Sequence, residues 1–264
     1  MRYAVVRIII NADDFGFDTD TVAATVAAFE QGHLTSASIM VQMPATSLAF
    51  AYARTRRDLS FGVHLTFVCD TVEAPVSAVS AVPSLVRPDG RFMPSNRVRL
   101  LALRNRLPVA EIAREIEAQL ALARDNGIGI THVDSHGHLH KYRPFRRALE
   151  QVLPRFGIRR VRRVQNLFIR RPWRSPTYWM HPLWGRQLLR RFATTGHFFM
   201  PATAGDSNWA DALLRLPLPG TVEVGLHPGR VEAWRASEAA AAAELARLAR
   251  DGRHRLVTWC DVGT

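Results

Sequence analysis

The strongest constraint on the fold of this chain is a regular alternation of short apolar runs with stretches of helical periodicity. The apolar run AVVRIII at residues 4–10 precedes the helical stretch TVAATVAAFEQGH, and the same order recurs where TSASIMVQM precedes SLAFAYARTRRD. The most clearly amphipathic stretch is VAEIAREIEAQLALARDNG, which ends at Gly127. Such alternation is typical of βα units around a mainly parallel sheet. The sequence therefore predicts an α/β fold.

Two long stretches interrupt this alternation. Residues 69–108 lack a clear period, and residues 165–210 combine prolines and arginines with four tryptophans. Connections of this length are uncommon unless they have a function, so the first is a candidate lid. A chain of 264 residues with 47% hydrophobic residues can bury one large core. We therefore expect one domain over residues 1–264, with irregular insertions at about 69–108 and 165–210.

The formal charge of +12 raises the question of nucleic-acid binding. Basic clusters occur at residues 54–57, 158–163 and 170–174, but Lys141 is the only lysine in the chain. This near-total use of arginine indicates a coding bias more than selection for a surface that tracks phosphates. The basic stretches also lack regularly interleaved aromatic residues or a recognisable nucleic-acid module. We therefore expect no nucleic-acid partner, while anionic surfaces and acidic substrates stay open.

Cysteine content and the length of the apolar runs bear on the cellular compartment. The chain has two cysteines, Cys69 and Cys260, too few for a disulfide framework or a cysteine-based zinc site. The N-terminal stretch lacks the long apolar core and the cleavage site of a signal peptide. The other apolar runs are shorter than a bilayer span requires. These features predict a cytoplasmic protein without an integral membrane segment, and they leave open whether it forms a homo-oligomer.

Charged and polar side chains recur at the predicted strands. Asp13 and Asp14 directly follow the first strand, where a turn and a helix cap would also explain acidic residues. His64 in FGVHLTF and His227 in TVEVGLHPG lie opposite the apolar face of their strands. In THVDSHGHLH the polar residues occupy alternate positions and would share one face of a strand, at least until Gly137 bends the chain. These residues are His132, Asp134, His136, His138 and His140. Imidazoles and a carboxylate suit zinc and other divalent metals, so the sequence predicts a metal or catalytic site.

Five motifs carry a resemblance to one family. They are NADDFG at 11–16, TSAS at 35–38, GVHL at 62–65, HVDSHGHLH at 132–140 and EVGLHPG at 223–229. In this order, and spread over nearly the full chain, they resemble the motifs of the YdjC-like carbohydrate deacetylases, also known as the ChbG/HpnK family. The resemblance implies a deformed (β/α) barrel like that of the polysaccharide deacetylases. It also implies removal of an acetyl group from an N-acetylated amino sugar in an oligosaccharide or glycoconjugate.

The resemblance also implies roles for individual residues. It implies one divalent metal ion, zinc or else magnesium or another divalent ion, held by Asp14, His64 and His136. Asp13 is then the general base for a metal-activated water that attacks the acetamide carbonyl, and His227 is the acid that protonates the departing amine. Residues that could orient these groups or contact the substrate are His132, Asp134, His138, His140 and Arg162.

Three alternatives stay open at this point. An arginine is expected to assist the base, and the sequence does not choose between Arg162 and Arg163. A metal-dependent phosphoesterase on a similar barrel is the alternative enzyme, although such enzymes generally bind two metals and need more converging carboxylates. A non-catalytic basic protein that binds nucleic acid or another anion is the alternative from a different class. A complete set of candidate ligands and catalytic groups argues against it.

Overall fold

The fold centres on one parallel sheet. A computed structural model describes residues 5–169, 171–201, 209–252 and 254–263 of the chain. The strands of the described residues are β1 (Arg7–Phe15), β2 (Ser36–Ile39), β3 (Ser60–Leu65), β4 (Ile130–Ser135), β5 (His197–Phe199), β6 (Thr221–Leu226) and β7 (Arg255–Leu256). They pair in the order β4-β3-β2-β1-β6-β5, and β7 pairs with the start of β1. All these pairs are parallel, as the βα alternation predicted.

Helices surround this sheet. In the described ranges they are α1 (Thr19–Glu30), α2 (Thr46–Thr55), α3 (Ser95–Leu103), α4 (Val109–Asp125), α5 (Arg143–Val152), α6 (Pro176–Leu189), α7 (Trp209–Leu214) and α8 (Ala233–Asp251). Asp18 caps α1, because its side chain accepts from the backbone N–H of Thr21 at 2.7 Å. Asp13 and Asp14 are therefore not needed as caps. Each described helix falls short of the length and apolarity that crossing a membrane requires.

The sheet curls until its two edge strands share a neighbour, the segment 159–167. On one side, the backbone N–H of Arg162 donates to the carbonyl oxygen of Val133 in β4 at 3.0 Å. On the other side, the backbone N–H of Leu167 donates to the carbonyl oxygen of Phe198 in β5 at 3.2 Å. This segment joins its neighbours through isolated bridges, between Val133 and Val161 and between Arg160 and Ala193. The result is a parallel half-barrel with surrounding helices, which confirms the predicted α/β fold class.

The central strand β1 leads directly to the polar edge of the sheet. Its residues are buried from Ile8 to Phe15, since neighbours cover both sides of a central parallel strand. Ile8 and Ile10 belong to the main core, whereas Ile9 packs with Trp259 on the other face. Parallel strands end at the same edge of a sheet, so the ends of β1, β3, β4 and β6 converge there.

The connection at residues 69–108 contains some regular structure. It contains a helical turn at Val79–Ala81, an antiparallel bridge and α3. The buried carboxylate of Glu115 in α4 accepts from the backbone N–H groups of Val76 and Ser77, both at 2.9 Å. Contacts with a distant helix therefore hold this connection in place, although its own sequence has no clear period.

The second insertion, residues 165–210, also contains regular structure, namely α6 and β5. Trp184 and Trp209 are buried, whereas Trp173 and Trp179 are exposed. The tryptophans therefore divide between core packing and the protein surface. Residue 170 and residues 202–208 of this insertion lie outside the described residues.

Candidate active site

Two adjacent carboxylates end β1. Consecutive strand residues normally point to opposite faces, but the register of β1 with β2 is interrupted between Ala12 and Phe15. Asp14 has a φ of 58°, in the left-handed region that is uncommon for residues other than glycine. Strained backbone of this kind occurs at functional sites. Asp13 and Asp14 are both buried, and both bring a carboxylate oxygen close to His64.

Asp14, His64 and His136 form a cluster that could hold a metal ion, here called the three-ligand cluster. One ligand atom of each residue lies within 4.8 Å of the others. Asp14 Oδ1 is 3.5 Å from His64 Nε2 and 3.2 Å from His136 Nδ1. The three residues come from the ends of β1, β3 and β4. The structure thus brings together the residues that the family resemblance assigned to the metal.

The donors of the three-ligand cluster suit a divalent cation. One carboxylate and two imidazoles are ligands that zinc takes, with positions left for water and substrate. Burial opposes ionisation of Asp14, but the nearby imidazoles, His136 foremost, hold its pKa well below the usual value. Burial likewise opposes a charged His136, yet Asp14 and Asp70 raise its pKa to about 10. The carboxylates of Asp14 and Asp70 thus favour positive charge at His136, which a bound cation would supply in place of a proton.

A series of polar contacts orients His64 on its Nδ1 side. Its Nδ1 lies 2.8 Å from Asp134 Oδ1, so a proton on Nδ1 leaves Nε2 free to bind a metal. Asp134 Oδ2 accepts from Ser38 Oγ at 3.0 Å. His132 Nε2 is 3.1 Å from the same hydroxyl, and its ring stacks on Trp259 with centroids 4.6 Å apart. Burial lowers the pKa of His132 to about 3, so the ring stays neutral.

A fully buried arginine holds Asp13. Arg162 Nη1 and Nη2 donate to Asp13 Oδ2 and Oδ1 at 2.6 and 2.7 Å, which is a bidentate pair. Nη1 also lies 2.6 Å from Asp134 Oδ2, and Nη2 lies 2.8 Å from Glu223 Oε1. Burial raises the pKa of Glu223 to about 8, so this carboxyl is mostly protonated at neutral pH. Arg163 instead donates to a backbone carbonyl at 3.4 Å, so Arg162 is the arginine beside Asp13.

His227 follows β6 and is held by a carboxylate of α8. Its Nδ1 is 3.1 Å from Glu238 Oε2, which also accepts from the backbone N–H of His227 at 2.6 Å. Burial opposes the charged imidazole, but Glu238 foremost, and then Asp14 and Asp13, raise the pKa of His227. The imidazole is therefore protonated more readily than an ordinary histidine, close to the two aspartates.

Three neighbours of the cluster were not found by sequence reasoning. Arg235 Nη2 donates to Asp14 Oδ2 at 3.0 Å, and Asp70 Oδ2 lies 2.9 Å from His136 Nε2. The third is Glu238, which contacts His227. Two of them lie in α8, where the alanine-rich pattern indicated only a helix, and Asp70 lies in the connection without a period. No local signal marks any of them.

The last two histidines of the HVDSHGHLH motif turn away from the cluster. Gly137 and His138 have φ values of 65° and 55°, which ends the strand geometry, and a 3-10 turn follows. His138 packs against Phe198 with ring centroids 5.7 Å apart, and His140 Nδ1 lies 2.7 Å from Ser135 Oγ. Among the described residues, no hydrogen bond or ring contact is found between these two imidazoles and the three-ligand cluster, although, after the larger effect of burial, the charge of His64 also lowers the pKa of both. Their assignment as orienting or substrate-contacting residues stays a prediction.

The profile of one protein family spans the residues of this site. The profile of the family described as YdjC-like protein matches residues 7–258. The chain belongs to the YdjC-like family. The YdjC-like match runs from β1 to just beyond β7, so it includes the three-ligand cluster, Asp13, Arg162 and His227.

Individual YdjC-like relatives match part of the chain. A carbohydrate deacetylase of Halalkalibacterium halodurans is 33% identical over 170 residues, which are 64% of this chain and 65% of that protein. One from Geobacillus stearothermophilus is 34% identical over 169 residues, 64% of this chain and 63% of that protein. The alignments thus span less than two thirds of either relative. An Enterococcus faecalis structure, a "putative cellobiose-phosphate cleavage protein", has a TM-score of 0.78 at 21% identity, covering 97% and 98% of the two chains. That likeness shows the fold.

Proposed function

We propose that this YdjC-like protein is a metal-dependent hydrolase that removes the acetyl group from an N-acetylated amino sugar. The observation that carries the proposal is the three-ligand cluster with Asp13, the Arg162 guanidinium and His227 around it. A metal site, a buried carboxylate and a protonated imidazole are the groups that amide hydrolysis needs. The names of the two relatives, both carbohydrate deacetylases, support an acetylated sugar as the substrate.

The three-ligand cluster would hold one divalent ion, and zinc suits its donors. Such an ion supplies Lewis acidity when bound, which lowers the pKa of water and polarises a carbonyl oxygen. Arg235 engages Asp14 Oδ2 and leaves Oδ1 to face the two imidazoles. Asp134 holds His64 by its Nδ1. Both contacts fix the ligand atoms before a metal arrives, which is the role of such outer hydrogen bonds.

Asp13 is the general base in this proposal. Its Oδ1 already accepts from Arg162 and from Asn11 Nδ2, the latter at 2.8 Å. Its Oδ2 accepts from Arg162 Nη1. Because a carboxylate oxygen can accept about two hydrogen bonds, Oδ2 keeps the capacity to take a proton from the attacking water. Arg162 fixes the carboxylate in position through two hydrogen bonds.

His227 is the general acid in this proposal. Glu238 occupies its Nδ1, so Nε2 is the nitrogen that can donate a proton to the departing amine. The raised pKa of His227 favours the protonated imidazole that a general acid needs.

The arrangement favours an amide over a phosphate ester. Enzymes with two metals need a second set of converging ligands. Asp13, His64 and Asp134 also lie within 4.8 Å of one another, but the Arg162 guanidinium contacts both of these carboxylates at 2.6 Å. A positive charge already occupies the place of a second cation, which argues against a two-metal phosphoesterase.

The proposal is tested by metal content and acetate release together. The parent protein should bind about one divalent ion per chain, given one Asp and two His ligands. His64→Ala or His136→Ala should remove it, as measured by elemental analysis. With metal, the parent should release acetate from N-acetylglucosamine compounds and no phosphate from a phosphate ester.

His138→Ala is the matched control for metal content. This histidine lies two positions from His136 but packs against Phe198, so its removal should leave the metal in place. Full metal occupancy in both His64→Ala and His136→Ala would refute the ligand assignment. Phosphate release without acetate release would refute the reaction.

Glu238→Gln should shift the pH dependence of kcat/KM. A general acid must be protonated, so activity is lost as pH rises through its pKa. Glu238 raises the pKa of His227, so removing its charge should move the alkaline limb to lower pH. Gln can still accept from the His227 backbone N–H, which preserves the local fold.

His227→Ala should keep the metal and lose roughly a hundredfold or more in turnover. An unchanged alkaline limb in Glu238→Gln would argue against His227 as the acid.

A further inference from the structure

The exposed side of α6 and the loop before it carry large apolar side chains. Trp173 and Trp179 are 75% and 69% exposed, and Leu183 is 55% exposed. Trp179 Nε1 donates to the carbonyl oxygen of Trp173 at 3.0 Å, so the two tryptophans form one patch. Trp179 and Leu183 are four positions apart on α6 and lie on the same side of it. We call Trp173, Trp179 and Leu183 the apolar face.

The apolar face lies in a strongly basic part of the chain. Residues 151–205 contain eleven arginines and no aspartate or glutamate. Arg186 and Arg190 are exposed and follow Leu183 at helical spacing, on the same side of α6. Among the described residues, no ion pair involves either of these two guanidinium groups. Positive charge and apolar surface are therefore presented side by side.

The opposite side of α6 holds the helix on the protein. Trp184 and Leu188 are buried, and the Trp184 ring lies 5.4 Å from that of Tyr142, centroid to centroid. Lys141 Nζ lies 5.5 Å from the same indole ring. These contacts anchor the helix without the apolar face, which is thus available to a partner.

We propose that the apolar face and its arginines dock the protein on an anionic lipid surface. Amphipathic helices at membrane interfaces bury tryptophan and leucine among the head groups and place arginine against anionic lipids. A nucleic acid would engage Arg186 and Arg190 but leave Leu183 in water. A second copy of the chain would bring like charges together across the contact. The helix would lie on the surface and not cross it, and the proposal is independent of the hydrolase function.

The test is cosedimentation of the full chain with lipid vesicles. We expect binding to vesicles of phosphatidylcholine mixed with phosphatidylglycerol, weaker binding to phosphatidylcholine alone, and loss of binding as salt is raised. Trp173→Ala/Trp179→Ala should weaken partitioning roughly tenfold or more, because two large apolar side chains no longer leave water. Arg186→Gln/Arg190→Gln should weaken binding to the anionic vesicles and change binding to neutral vesicles little.

Matched controls come from exposed residues elsewhere. Val5→Ala/Leu48→Ala removes two exposed apolar side chains, and Arg54→Gln/Arg57→Gln removes two exposed arginines. Both should bind vesicles like the parent, and circular dichroism should show all variants folded. The proposal is overturned if the parent does not bind anionic vesicles at low salt, or if the tryptophan variant binds them equally well. It is also overturned if the parent does not bind vesicles but forms a dimer or binds nucleic acid, and the tryptophan variant loses that dimer or that binding.

Discussion

Asp13→Asn should lower turnover on an acetylated amino sugar by roughly two to four orders of magnitude, the range of general base catalysis. Asparagine keeps the shape of the side chain and an oxygen that can accept from Arg162, but it cannot take a proton from water. The three-ligand cluster does not include Asp13, so metal content should stay at the parent level. Acetate release and elemental analysis on the same preparation measure the two effects separately.

Asp18→Asn is the matched control for this prediction. Asp18 lies in the same segment and caps α1 through its side chain, a role in which asparagine is about as good. This variant should therefore turn over at close to the parent rate. A folded, metal-loaded Asp13→Asn protein with the same near-parent rate would show that Asp13 is a structural residue and that another group is the base.

Much of the site could be predicted because strands impose a period of two and parallel strands end at one edge. Those two rules place polar residues of β1, β3 and β4 near one edge of the sheet, and the family resemblance singled out Asp14, His64 and His136 among them. They cannot supply the register between strands. His64 pairs directly with Asp134 across β3 and β4, and this pairing is what allows the carboxylate to orient the imidazole.

Partners contributed by helices and connections could not be predicted. Arg235 reaches Asp14 across 221 positions in the chain, and Glu238 reaches His227 from the same helix, α8. Helical periodicity predicts which residues share a face of the helix. It does not predict which residues from other parts of the chain pack against that face. The turn after β4 is a similar case, because the positive φ of Gly137 redirects His138 and His140 away from a stripe that parity alone would continue.

The choice between Arg162 and Arg163 shows the same limit. Adjacent residues of an extended segment point to opposite sides, so only one of them can face Asp13. Which one depends on the bridge between Val133 and Val161, a contact between β4 and a segment that the sequence pattern alone does not align. The structure settles the geometry in favour of Arg162, which is fully buried and contacts three carboxyl groups.

Arg162→Gln should lower the free energy of unfolding by about 3–5 kcal/mol, the cost of leaving buried charges without their partner. It removes the cation that Asp13 and Asp134 share. Arg163→Gln is the matched control, because it makes the same change one residue away, where a single hydrogen bond to a backbone carbonyl is lost. Its cost should be about 1 kcal/mol. Urea unfolding of both variants measures the difference, and equal midpoints for the two would contradict the assignment.

The loss of unfolding free energy in Arg162→Gln should also depend on pH. A packing defect alone would not produce this dependence. Burial opposes ionisation of Asp134, but Arg162 foremost, and then His64, hold its pKa well below the ordinary value. A lowered folded-state pKa stabilises the protein above the unfolded-state pKa and ceases to do so as pH falls through the folded-state value. Without Arg162 this contribution is lost, so parent and variant should differ most near neutral pH. The difference should shrink below about pH 4, where an unfolded aspartate takes up its proton. A gap in unfolding free energy that stays constant from neutral to acid pH would mean that Arg162 acts through its volume and not through its charge.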